Sequence, residues 1–193
     1  MKPIYFSLMM LFFACKASTE TEIKTLPLSE SLVTEESSSD TMAMIETVKG
    51  FLNWYKENYK QANSFGFTYQ DKQGNYHVSI SQGDEYLKFL KGSGYISYKY
   101  VDAWLKYFKD KAQYLEENLQ NEGPPEGFEF DLVLITQEPE LVLNEINNLK
   151  FVVGENDGSK AILQIAGEFG YDFELIKENG KWMIEYIATM NYD

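Results

Sequence analysis

The stretch YDFELIKENGKWMIEYIA, residues 171–188, decides the fold of this chain. Two runs of alternating apolar residues flank Glu178-Asn179-Gly180, and an Asn-Gly pair between such runs is the strongest short-range signal for a β-hairpin. The alternation places Tyr171, Phe173 and Leu175 on one face, and Trp182, Ile184 and Tyr186 on the matching face of the return strand. Just upstream, residues 149–154 and 160–168 flank Asn156-Asp157-Gly158, a second hairpin. The four strands read as an antiparallel meander.

Further upstream the period changes from two to 3.6. Residues 128–135 read as one more strand and 139–146 as a short helical turn. A long helix is expected over residues 97–119, with Val101, Leu105, Phe108, Ala112, Leu115 and Leu119 as its apolar stripe, stopping before Gly123-Pro124-Pro125. A shorter helix is expected over residues 84–91. Residues 65–67 and 76–80 flank the turn-like segment 71–75 as a small hairpin. The first helix is expected over residues 41–60, its stripe Met44, Val48, Phe51, Leu52, Tyr55 and Tyr59, capped by Ser39, Asp40 or Thr41. Helices first and a meander after them define an α+β domain, with N-terminal helices packed on one face of a curled antiparallel sheet.

The chain begins MKPIYFSLMMLFFAC, a lysine followed by an apolar run shorter than the ~20 residues that span a bilayer. The run ends at Cys15, the single cysteine of the sequence. This arrangement resembles a bacterial lipoprotein signal: residues 1–14 are removed, Cys15 is acylated, and the chain is anchored to a membrane of the cell envelope. Ordinary secretory cleavage after Ala17 is the rival reading. Residues 15–40 then form the acylated cysteine and a polar tether rich in Ser, Thr and Glu, and residues 41–193 a single domain.

All 17 basic residues are lysine against 30 acidic ones, a net charge of −13. That balance argues against nucleic acid, whose affinity comes from neutralised phosphates. It also leaves no arginine fork for phosphate or carboxylate ligands.

The closing FELIKENGKWMIEYI resembles the last hairpin of the nuclear-transport-factor-two-like, cystatin-type cone. The segments VKGFLNWYKENY, GYISYKYVDAWLKYF and FEFDLVLITQEPE are similar to an envelope-lipoprotein family, domain of unknown function 3828. Asp131 and the Gln137-Glu138 pair stand where that family has an Asp and a Gln-Asp pair, so Glu138 is a departure. The resemblance implies a cystatin-like cone and an envelope location, and brings no established activity.

Residues for chemistry are sparse. His77 is the only histidine and alternation turns it outward, so no Ser-His-Asp or Cys-His set can be built and no zinc site has enough ligands. Asp131, between Phe130 and Leu132, is the one carboxylate that resembles the apolar-pocket base of the ketosteroid isomerases, whose fold the cone shares. Residues 155–158 read as a hairpin turn lacking the full ligand series of a calcium loop. No cofactor or metal is called for.

Aromatic residues are the most suggestive feature. On the long helix Tyr100, Trp104, Tyr107 and Tyr114 form a second stripe beside the apolar one, a surface suited to a protein, peptide or sugar partner if exposed. These observations lead us to expect a non-enzymatic, membrane-tethered binding module with an envelope protein as partner, an immunity-type inhibitor being one form. The alternative is a hydrophobic small-molecule carrier or isomerase-like enzyme using the cone interior around Asp131.

Overall fold

The computed structural model describes residues 30–190, with side chains described from residue 39; Cys15, the leader and the first part of the tether lie outside the described residues. The order of elements is α1 (Glu30–Ala62), β1 (Thr68–Gln70), β2 (Tyr76–Val78), α2 (Ile80–Gly92), α3 (Tyr98–Glu117), α4 (Pro139–Asn144), β3 (Lys150–Asn156), β4 (Lys160–Ala166), β5 (Tyr171–Glu178) and β6 (Lys181–Thr189). The domain is α+β, helices first and antiparallel sheet after.

Helix α1 begins at Glu30, earlier than residue 41, so its expected cap residues are interior to it. Asp40 has another partner: its carboxylate takes Lys177 Nζ at 2.9 and 3.1 Å. The stripe Met44, Val48, Phe51, Leu52 and Tyr55 is buried as its spacing predicts. Helix α2 is capped by the Ser79 side chain and also starts earlier than expected. Gly83 lets it approach α3, because an added Cβ would lie 2.8 Å from the Phe108 ring.

The main sheet is a four-stranded meander in the order β3-β4-β5-β6. It is open, neither closed nor strongly curled. Its inner face is built in rows across the strands: Phe151, Ile165 and Tyr171; Val153, Leu163, Phe173 and Ile187; Ala161, Leu175 and Ile184. Trp182, 2 % exposed, lies beneath α1, where its carbonyl accepts the Thr47 hydroxyl.

Two expectations fail here, each for a local reason. The pairing of β5 with β6 shifts between Glu174 and Leu175, so Leu175 faces Ile184 while Glu174 faces Tyr186. Glu185 is the extra residue of this bulge, and beyond it the alternation inverts: Ile187, not Tyr186, joins the core, and Tyr186 is 46 % exposed. Residues 128–135 are turns rather than a strand. The Asp131 side chain competes for the backbone there, its Oδ1 accepting the N–H groups of Val133 (3.0 Å) and Leu134 (2.7 Å). Asp131 N–H donates to Thr136 O, and Ile135 closes the loop at a φ of 52°.

The edge of β6 is covered in part by residues 95–97. Ile184 N–H donates to Tyr95 O at 2.8 Å and Ser97 N–H to Ile184 O at 2.9 Å, a short parallel bridge. That bridge sets the start of α3 against β6. Among the described residues no helix is long and apolar enough to cross a membrane.

A candidate binding groove between α3 and the β6 bulge

The groove follows from where α3 starts. Ser97 is buried and caps the helix, its Oγ accepting Tyr100 N–H at 3.1 Å while its own N–H holds β6. From that anchor α3 runs past the bulge, so Tyr100, Ala103, Trp104 and Tyr107 come opposite Glu185 and Tyr186. The loop clasped by Asp131 supplies the third wall, Phe130 and Ile135. The result is an open cleft of about 250 Å³ lined almost wholly by aromatic and aliphatic side chains.

Its geometry is fixed from behind. Trp104 and Tyr107 lie 5.0 Å apart with ring planes at 73°, and Tyr107 also meets Phe128 edge-on at 6.1 Å. Tyr107 Oη donates to Gly127 O at 2.7 Å. Burial pushes the Tyr107 phenol up to about 12, so it is a neutral hydroxyl at physiological pH. Glu185, 16 % exposed, pairs with Lys99 at 2.8 Å and Lys160 at 3.6 Å, both of them more than half exposed.

The expected aromatic stripe therefore divides. Tyr100 is only 1 % exposed and belongs chiefly to the core, reaching the groove from below. Trp104 and Tyr107 are half-buried and form its wall. Tyr114 lies outside it: its hydroxyl donates to Glu126 at 2.7 Å and Lys111 Nζ stands 5.0 Å over its ring. Leu119, expected in the apolar stripe, is exposed because α3 ends at Glu117.

Asp131 does not line the groove. Its Oδ2 accepts Tyr55 Oη at 2.5 Å and its Oδ1 takes the two loop N–H groups. It borders instead a shallow depression with Tyr59, Asn63, Thr136 and Gln137. Burial raises its carboxyl above the ordinary range, while the bonds from Tyr55, Leu134 and Val133 pull it back down. Around it, burial raises the phenols of Tyr55 and Tyr86. Tyr171, pushed up to about 12 by burial, donates to Leu134 O at 2.6 Å. Tyr55 and Tyr171 are donors that hold the fold, and the Asp131 carboxylate accepts from Tyr55, Val133 and Leu134.

His77 and Asp157 have structural partners. His77 stacks on Tyr69 and its Nε2 lies 3.2 Å from Asp71 Oδ2. Asp157 Oδ1 accepts the N–H groups of Ser159 and Lys160, which closes the turn between β3 and β4. Among the described residues no buried side-chain N or O atom lacks a hydrogen-bond partner, and no three His, Cys, Asp or Glu side chains stand close enough to hold a metal ion.

Ala103, Phe130, Ile135, Glu185 and Tyr186 were not singled out by the sequence as a site. The bulge and the clasped loop bring them together, and neither leaves a periodic signal. The chain matches no protein-family model, and no curated protein or solved structure is significantly similar to it.

Proposed function

We propose that this chain is a non-enzymatic binding module of a cell envelope, tethered by an acylated Cys15, that takes its ligand in the groove between α3 and the β6 bulge. The observation that carries the reading is the groove itself: an apolar, aromatic cleft on the surface of a domain in which, among the described residues, every buried side-chain N or O atom has a hydrogen-bond partner. Its size suits a small molecule, or one side chain projected by an envelope protein. An immunity-type inhibitor, acidic and steered by charge toward a basic partner, is the narrower form of the second.

The cystatin-like cone and kinship with domain of unknown function 3828 belong to the same proposal. Their support is α1 lying over one face of an antiparallel meander, with Trp182 of the last hairpin beneath it. The carrier or isomerase-like alternative gains nothing comparable. Phe51, Tyr55, Phe173 and Trp182 fill the space between α1 and the sheet, and Asp131 is occupied by Tyr55 and its own loop.

Two variants test the two halves of the proposal. Cys15→Ala should move the protein from the membrane to the soluble fraction; retention at the membrane contradicts acyl anchoring. Trp104→Ala should abolish co-purification of the envelope ligand while leaving a cooperative melt. Undiminished co-purification by the folded variant contradicts the groove.

A further inference from the structure

The two edges of the main sheet differ. The β6 edge is bridged by residues 95–97. At the β3 edge, among the described residues, no backbone group of residues 150–155 bonds to anything but β4. An edge left open in this way is a template for another strand. Its core face is also unfinished: Phe151 and Val153 are half-buried, whereas their β4 partners Ile165 and Leu163 are fully buried. On the opposite face Val152 is 49 % exposed. Lys150 and Glu155, at either end, have no ion-pair partner among the described residues.

The sequence of this edge selects the strand that fits it. The β3–β4 register shifts between Val153 and Asn156, so only residues 150–153 offer a regular edge. Laid antiparallel on itself about Val152, that stretch sets Val152 against the partner's Val152 and Phe151 against the partner's Val153. Core-face residues then meet core-face residues, because the two-fold axis is perpendicular to the sheet. Each Lys150 comes alongside the partner's Glu155 at the bulge, so the two unpaired charges are matched at both ends. A net charge of −13 opposes contact between copies in general, but this edge carries one charge of each sign. Pairing consumes the open edge, and the β6 edge is bridged, so the assembly closes at two.

We infer that two copies of this chain pair through their β3 edges, antiparallel about a two-fold axis at Val152, into one continuous sheet. The pairing requires neither the groove nor the anchor at Cys15. So short a contact makes a reversible dimer.

Disulfide trapping in the full chain, with Cys15→Ala so that no other thiol is present, tests it. Cα atoms directly opposite in an antiparallel pair lie about 4.5–5.5 Å apart, within disulfide reach. Val152→Cys should therefore oxidise to a covalent dimer, while Glu174→Cys, exposed in the middle of the same sheet face, should stay monomeric. Without an introduced cysteine, sedimentation equilibrium should show a reversible dimer that Val152→Lys abolishes without lowering the melting temperature. Lys150→Glu and Glu155→Lys should each weaken it several-fold, and the two together should restore it. Trapping at 152 no faster than at 174, or a monomer at every concentration up to about 1 mM, would overturn the inference. A double reversal no better than either single change would overturn it too, since β3 would then not meet β3 in this register. A Val152→Cys thiol that reacts neither with its twin nor with a small maleimide would put another segment of the same chain over the edge, and would equally overturn it.

Discussion

Tyr55 Oη donates to Asp131 Oδ2 at 2.5 Å, joining residues 76 positions apart. The bond ties helix α1 to the loop whose Phe130 and Ile135 wall the groove. Asp131 thus acts on the groove from behind, by fixing the loop, and not by facing a ligand.

Removing the donor isolates that dependence. Tyr55→Phe leaves Asp131 Oδ2 without its phenol partner and should cost about 1.5–3 kcal/mol, the range for a hydrogen bond to a charged group. Urea denaturation reads the loss. A variant as stable as wild type would contradict a structural role for the pair.

The pH dependence of stability has a definite sign at Asp131. Burial raises its folded pKa against the opposing hydrogen bonds, so the folded state holds the proton more tightly than the unfolded chain. That contribution is fully present below the unfolded value of about 4 and is lost as pH rises through the folded value. The stability of wild type minus that of Asp131→Asn should therefore fall with rising pH across this window and then level off. A difference that grows with pH would contradict the assignment. The subtraction matters because Glu126 and Asp157 have lowered values and give slopes of the opposite sign.

Gly83 sets helix propensity against packing. In a helix interior Gly→Ala ordinarily stabilises by about 1 kcal/mol. Here the new methyl would lie 2.8 Å from the ring of Phe108, which is fully buried and cannot swing aside. Overpacking of this kind costs about 1–3 kcal/mol, so Gly83→Ala should lower the melting temperature. A rise would mean that α2 and α3 pack less closely than described.

The bulge in β6 makes a prediction by contrast. Ile184→Ala empties a fully buried site and should cost about 2–5 kcal/mol. Tyr186→Ala, two residues on, should fall within about 0.5 kcal/mol of wild type because the bulge turns Tyr186 outward. Comparable losses at both positions would restore the uninterrupted alternation.

That pair also marks where the sequence stops being legible. The Asn-Gly turn and the alternation through Tyr171, Phe173 and Leu175 identify the last hairpin, and helical spacing identifies the buried stripe of α1. Both are periodic, and periodicity survives in one dimension. A bulge is a single inserted residue, so Tyr186 keeps the pattern of a core residue while leaving the core. The loop around Asp131 has the composition of a strand, Leu132, Val133 and Leu134, and those residues are indeed buried. The Asp131 side-chain oxygen that takes the N–H groups of Val133 and Leu134 is what withdraws the segment from a sheet. The groove was half visible: the helical stripe placed Tyr100, Trp104 and Tyr107 together, and the opposing wall depends on those two local irregularities.

The groove is tested most directly by photo-crosslinking from inside it. A photoreactive residue at Ala103, which lines the cleft, is compared with one at Tyr69, which is exposed on the small hairpin away from it. In the native envelope the probe at 103 should label one species saturably, competed by unlabelled protein and lost with Trp104→Ala, while the probe at 69 labels none. Equal labelling from both positions, or labelling at 103 that survives Trp104→Ala, would contradict a binding site between α3 and the bulge.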